Sequence, residues 1–135
     1  MSHQVLQPPG WARPRGYANG VAATGRQVFI AGQIGWDDQC RFASDRFGDQ
    51  VRQALANIVA VLAEAGGAPE HLVRLTWYIT SRDEYHAEIA TVGAAYRDVI
   101  GRHFPAMSVV QVAGLVEAGA KVEIEATAVI PVGPG

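Results

Sequence analysis

The sequence predicts an α+β fold in the order ββαβαββ, with one mixed sheet carrying two helices on one face. Two stretches, Phe47 to Ala65 and Tyr85 to Ile100, place apolar residues at steps of three and four, the mark of an amphipathic helix. The remaining apolar stretches are short, β-branched or alternating, as strands require. Strands that mix a hairpin with helical crossovers close into a single mixed sheet whose helices share a side.

The first two strands follow a lead punctuated by Pro8, Pro9, Gly10, Pro14 and Gly16. They are expected at Gly20 to Thr24 and Gln27 to Gln33, joined as a hairpin through Gly25-Arg26. The first helix carries Phe47, Val51, Ala54, Leu55, Ile58, Leu62 and Ala65 on one stripe. Ser44 or Asp45 can cap its start, and Gly66-Gly67 stops it. Leu72 to Thr80 reads as the third strand. The second helix repeats Tyr85, Ile89, Val92, Tyr96, Val99 and Ile100, is capped near Ser81 or Asp83 and ends at Gly101. Ser108 to Ala113 and Lys121 to Ile130 complete the strands.

In the last strand Val122, Ile124, Ala126, Ala128 and Ile130 share a face fit for a helix-covered core, while Lys121, Glu123, Glu125, Thr127 and Val129 share the other. A second face of that mixed character is expected to meet another subunit.

Composition bounds the function classes. The 135 residues make one domain, 1–135, large enough to bury a core without staples. Lys121 is the only lysine and net charge is −2, so an electrostatic grip on nucleic acid is not advertised. The single cysteine, Cys40, excludes an internal disulfide and points to a reducing cytoplasm. No signal peptide is expected from Met1 to Gly10, and no apolar run is long enough for a spanning helix.

The lead Arg15-Gly16-Tyr17, the strand Ile30-Ala31-Gly32-Gln33-Ile34, the helix Gln50 to Ala65 before Gly66-Gly67, the run Phe104-Pro105-Ala106-Met107-Ser108 and the strand Val122-Glu123-Ile124-Glu125-Ala126 together resemble the RidA/YjgF family. These are the reactive-intermediate (enamine/imine) deaminases, also called L-PSP endoribonuclease-like proteins. The resemblance covers nearly the whole chain in the same element order. It implies a chorismate-mutase-like protomer, a homotrimer around a central barrel, and small-molecule clefts between subunits. It also implies a glutamate that positions the hydrolytic water, at Glu123, and a tyrosine that closes the pocket, at Tyr17. Gly32, Gln33 and Ile34 are retained at the substrate-binding positions.

One implied residue is replaced: the family's carboxylate-binding arginine falls on Met107. A guanidinium holds a carboxylate by two parallel charge-assisted hydrogen bonds, and a thioether supplies neither donor nor charge. In a desolvated cleft that exchange costs roughly 2 to 5 kcal/mol. The family's nearby cysteine position is Val109, and an asparagine position in the second helix is Gly93. The cleft is therefore expected to favour a less anionic or more apolar ligand, with Arg13 or Arg15 as alternative sources of charge and Trp36 as an apolar wall. Standard 2-imino acid deamination is not expected. Two readings stay open: hydrolysis of an enamine or imine metabolite, and metabolite binding without catalysis. Ribonuclease activity ranks below both.

Other constellations carry little. Gly114 to Lys121 misses the phosphate-loop pattern, because Ala120 separates the glycine from the lysine and a strand follows. His3, His71, His86 and His103 lack metal-ligand spacing, and no metal or other cofactor is expected. Cys40 has no partner base, and Lys121, opening a strand, is expected to be exposed rather than a Schiff-base lysine.

Overall fold

The computed structural model describes residues 3–133. Its strands are β1 (Gln4–Leu6), β2 (Gly20–Ala22), β3 (Arg26–Ile34), β4 (Leu72–Ile79), β5 (Ala106–Gln111) and β6 (Val122–Ile130). Its helices are α1 (Phe47–Glu64), α2 (Arg82–Ala87) and α3 (Ile89–Val99), with a 3-10 turn at Pro69–His71. Four strands form one sheet in the order β3-β6-β4-β5, in which only β4 and β5 run parallel.

The expected hairpin between the first two strands is not made. β2 pairs instead with β1, Gln4 opposite Ala22 and Leu6 opposite Gly20, as a separate small sheet, while β3 pairs with β6. Gly25 and Arg26 are not a two-residue turn: Arg26 already faces Ile130, and a Cβ on Gly25 would stand 3.0 Å from Pro131 Cα. The glycine serves a close approach to the end of β6 rather than a local reversal.

α1 ends as its sequence requires. Gly66 takes φ +78, its N–H donates to Ala63 O (2.9 Å), and Gly67 N–H donates to Leu62 O (3.1 Å), which is a Schellman motif. Its start differs from expectation. Arg46 holds the cap position without a side-chain bond, Ser44 Oγ accepts from Arg46 N, and Glu88 Oε1 accepts the Gly48 N–H at 3.0 Å. A carboxylate from another element thus serves the positive end of the helix. The second helical stripe is broken at that same Glu88 (φ −107, ψ 21), giving α2 and α3 in place of one helix. Ser81 caps α2 by accepting from Glu84 N at 3.1 Å, and Gly101 (φ +98) follows the end of α3.

The core lies between the helices and one sheet face. Phe47, Val51, Leu55, Ile58 and Leu62 of α1 meet Leu72, Leu75 and Trp77 of β4 and Val122, Ile124 and Ala128 of β6, all buried. The other sheet face is mixed: Phe29 is 73% exposed, and Tyr78 Oη donates to Glu125 Oε1 at 2.8 Å.

Candidate functional site

β5 is an edge strand, and its register with β4 sets which side chains look toward the helices. Met107 lies opposite Leu75 and Val109 opposite Trp77, both on the buried side of β4, so Met107 and Val109 face α3. α3 stands off this edge and leaves a pocket of about 700 Å³. Trp77, Met107 and Val109 form its strand wall, and Val92, Gly93 and Tyr96 its helix wall.

The lead closes a third side. Ala18 bridges Ala106 in parallel, and its N–H donates to Pro105 O at 3.0 Å, which sets Arg15 and Tyr17 beside Met107 in the pocket lining. Tyr96 stacks on Phe104 (5.4 Å, 9°), and its phenol donates to His103 O. Burial pushes the Tyr96 phenol pKa up, so it is a proton donor to the backbone and not a base at neutral pH. Trp77 Nε1, also buried here, has no hydrogen-bond partner among the described residues.

A second group gathers on β3 and β6. Between Ile30 and Gln33 the register with β6 shifts, and the half-buried Glu123 side chain lies over Gly32, where an added Cβ would stand 2.8 Å from Glu123 Cγ. Glycine leaves room for the carboxylate in this position, where any Cβ would make the Glu123 side chain move. The Gln33 amide donates to Ala31 O at 3.1 Å. The Ile34 side chain is buried in the core, and its carbonyl accepts from Asn57 Nδ2 at 3.2 Å. Trp36 packs on Phe42 (5.8 Å), and its carbonyl is held by Asn57, apart from the α3–β5 pocket.

The structure therefore brings Arg15, Tyr17, Met107 and Val109 together, and separately Gly32, Gln33 and Ile34 with Glu123. Glu123 alternates with buried Val122 and Ile124, so it looks away from the helices while Met107 looks toward them. Within one protomer the two groups do not meet.

Arg13 lines a different cavity, beneath β1 with His3 and His71, and Tyr17, Arg102 and Phe104 form the wall between the two spaces. Sequence reading did not single out Arg97 and Arg102, which also line the α3–β5 pocket. The available signal was Arg97, one helical turn after Gly93.

Lys121 is not simply exposed. Its ammonium pairs with Glu84 at 2.8 Å with a third of the side chain accessible, and that bond holds its pKa above the ordinary lysine value. A lysine kept charged is a poor Schiff-base nucleophile.

Against known proteins, the family model described as Endoribonuclease L-PSP matches residues 12–130. The chain belongs to that family, the Rid (RidA/YjgF) family. A 2-iminobutanoate/2-iminopropanoate deaminase of Salmonella typhimurium is 34% identical over 116 residues, 84% of this chain and 86% of that protein. Among solved structures, the conserved Rid family protein YyfB of Yersinia pestis superimposes with a TM-score of 0.83 at 30% identity, covering 96% of this chain and 100% of its own. TdcF of E. coli with bound serine gives a TM-score of 0.66 at 31% identity over 94% of this chain and 98% of that one. The mixed α+β architecture of this Rid chain is the architecture of those neighbours. Among the described residues, no helix is long and apolar enough to cross a membrane.

Proposed function

We propose that this Rid-family chain is a cytoplasmic homotrimer that binds a small metabolite in a cleft completed between copies, and that it hydrolyses an imine or enamine there. The observation that carries the reading is Glu123 laid over Gly32, a carboxylate given its place by the absence of a side chain. The two half-sites are separated across one protomer, and the mixed outer face with exposed Phe29 offers a surface for a second copy to join them. The deaminase named in the Salmonella relative supports the reaction class.

In this reading Glu123 accepts a proton from water as the water oxygen adds to the C=N carbon. The nitrogen takes up a proton, and collapse of the carbinolamine expels ammonia and leaves a carbonyl. The Gly32-Gln33 segment fixes the substrate and Tyr17 closes the cleft. The step needs only water and a base, so the reading includes no metal and no other cofactor, and it assigns no nucleic-acid or membrane partner. Met107 sets the specificity away from the small 2-imino acids that an arginine at that position would hold.

A second reading, binding without catalysis, draws on the same Met107 and on its neighbour Val109, which leave the β5 wall without a polar group. One experiment separates the two. An amino-acid oxidase acting on an amino acid with a bulky apolar side chain generates its imine in place, and hydrolysis of that imine is followed for wild type, Glu123→Gln and Met107→Arg, with sedimentation of each. Hydrolysis above background in the wild type, lost by about 100-fold or more in the trimeric Glu123→Gln protein, is the expected result. A silent wild type that gains activity on Met107→Arg establishes the binding reading instead.

A further inference from the structure

The α3–β5 pocket has a charge pattern that the hydrolytic step does not use. Among the described residues, Arg15, Arg97 and Arg102 line it and no Asp or Glu does, although the chain has 13 acidic and 11 basic residues. Among the described residues, none of the three arginines takes part in an ion pair. A guanidinium is always charged and only donates, so three of them lining one cavity make it positive and suited to an anion.

Local geometry builds this arrangement from separate places. Arg102 follows Gly101, whose φ of +98 turns the chain away from the end of α3, and Arg15 precedes Gly16 at φ +77. Arg97 stands one turn from Gly93, where a Cβ would lie 3.4 Å from Arg97 Nη1. Glycine inside a helix costs up to about 1 kcal/mol relative to alanine, and here it keeps the floor beneath the guanidinium clear.

The remaining walls are aromatic or soft: Trp77, Tyr96, Phe104 and Met107. The Trp77 indole N–H is a buried donor with no acceptor among the described residues. Methionine at 107 offers polarisable surface suited to an aromatic ring, where an arginine would put a charge.

We infer that the α3–β5 pocket takes a carboxylic acid with an aromatic or bulky apolar body. Its carboxylate faces Arg97 and Arg102, with Arg15 at the rim, and its ring lies among Trp77, Tyr96, Phe104 and Met107. The pocket, about 700 Å³ and open to solvent, has room for such a ligand. The charge lost at position 107 is thereby supplied from the opposite wall, which moves the carboxylate and leaves the β5 side for the ring. The inference rests on the proposed function in taking this pocket as one half of the ligand cleft.

Calorimetric titration of the full-length chain with phenylpyruvate, pyruvate and phenylacetone tests it, because the second probe lacks the ring and the third lacks the carboxylate. Phenylpyruvate should bind at least tenfold more tightly than either. Arg97→Met and Arg102→Met should each weaken it by about tenfold, the loss of one charged hydrogen-bond partner, and leave phenylacetone unchanged. Both side chains are exposed, so the core is untouched in these variants. Equal affinity for the three probes, no phenylpyruvate binding at millimolar concentration, or an unchanged affinity in the double variant overturns the proposal. Binding that survives where hydrolysis fails removes the hydrolytic reading alone, whereas hydrolysis of small imines by a pocket indifferent to phenylpyruvate removes this inference alone.

Discussion

α1 and α3 belong to the same helical layer, yet they treat the sheet differently. Along α1, Phe47, Val51, Ala54, Leu55, Ile58 and Leu62 are all fully buried, and the helix sits down on β3 and β6. α3 packs beside α1 and buries Val92, Ala95 and Tyr96, but leaves Ile89 49% exposed and a cavity between itself and β5. One helix builds the frame and the other, by standing off, makes room for a ligand. A site needs both: close packing to hold side chains in place, and a deliberate gap that packing does not fill.

The largest expected effect breaks this contrast if it is wrong. Leu55→Ala deletes fully buried volume under α1 and should cost about 2 to 5 kcal/mol, read by chemical denaturation. Ile89→Ala, on the pocket rim of α3, should cost less than about 1 kcal/mol and act on ligand binding instead. Comparable losses from the two would mean that α3 carries as much of the frame as α1.

Next in size is Gln50, the one buried polar residue among the described residues. Its amide nitrogen donates to Ser44 O and Gly119 O, and its Oε1 accepts the Lys121 N–H at 2.8 Å, so α1 grips the loop that leads into β6 and Glu123. Gln50→Ala strands those backbone groups and should cost about 1 to 3 kcal/mol. It should also lower any Glu123-dependent hydrolysis, measured under conditions where the variant remains folded. Unchanged hydrolysis would detach the frame from the catalytic half of the site.

How far the sequence carried this picture depends on how local each signal is. The Gly66-Gly67 stop, the Ser81 cap and the inward stripe of β6 from Val122 to Ala128 are written within a few residues and stand where expected, while at the strand's end Val129 is buried and Ile130 only half-buried, against the alternation. The pairing of β1 with β2 joins Gln4 to Ala22 across a Pro- and Gly-rich lead, and three residues are too few to show an alternation. Gly25-Arg26 misled for a related reason: a glycine kept for close approach to β6 has the composition of a turn. The site divided in the same way. Tyr17, Gly32, Met107 and Glu123 stood in recognisable runs, whereas Arg97 and Arg102 join Arg15 only through the fold, more than eighty positions along the chain.

The smallest predicted effect tests the gap itself. Gly93 lies in the middle of α3 at an ordinary helical φ, and the nearest atom to an added Cβ is Arg97 Nη1 at the edge of comfortable contact. Nothing in the backbone requires glycine there. Gly93→Ala should therefore raise stability by about 0.5 to 1 kcal/mol, through helix propensity and a less flexible unfolded chain. Thermal melting should shift upward by about 2 to 5 °C. If the open floor serves the ligand, the same methyl should weaken phenylpyruvate binding by a small factor, and Gly93→Leu, which projects further into the pocket, should weaken it more. A helix made steadier and a pocket made poorer by one carbon is the signature of a position kept for function at the expense of stability. Stability gained with binding intact would make Gly93 incidental, and α3 would stand off the sheet for reasons of packing alone.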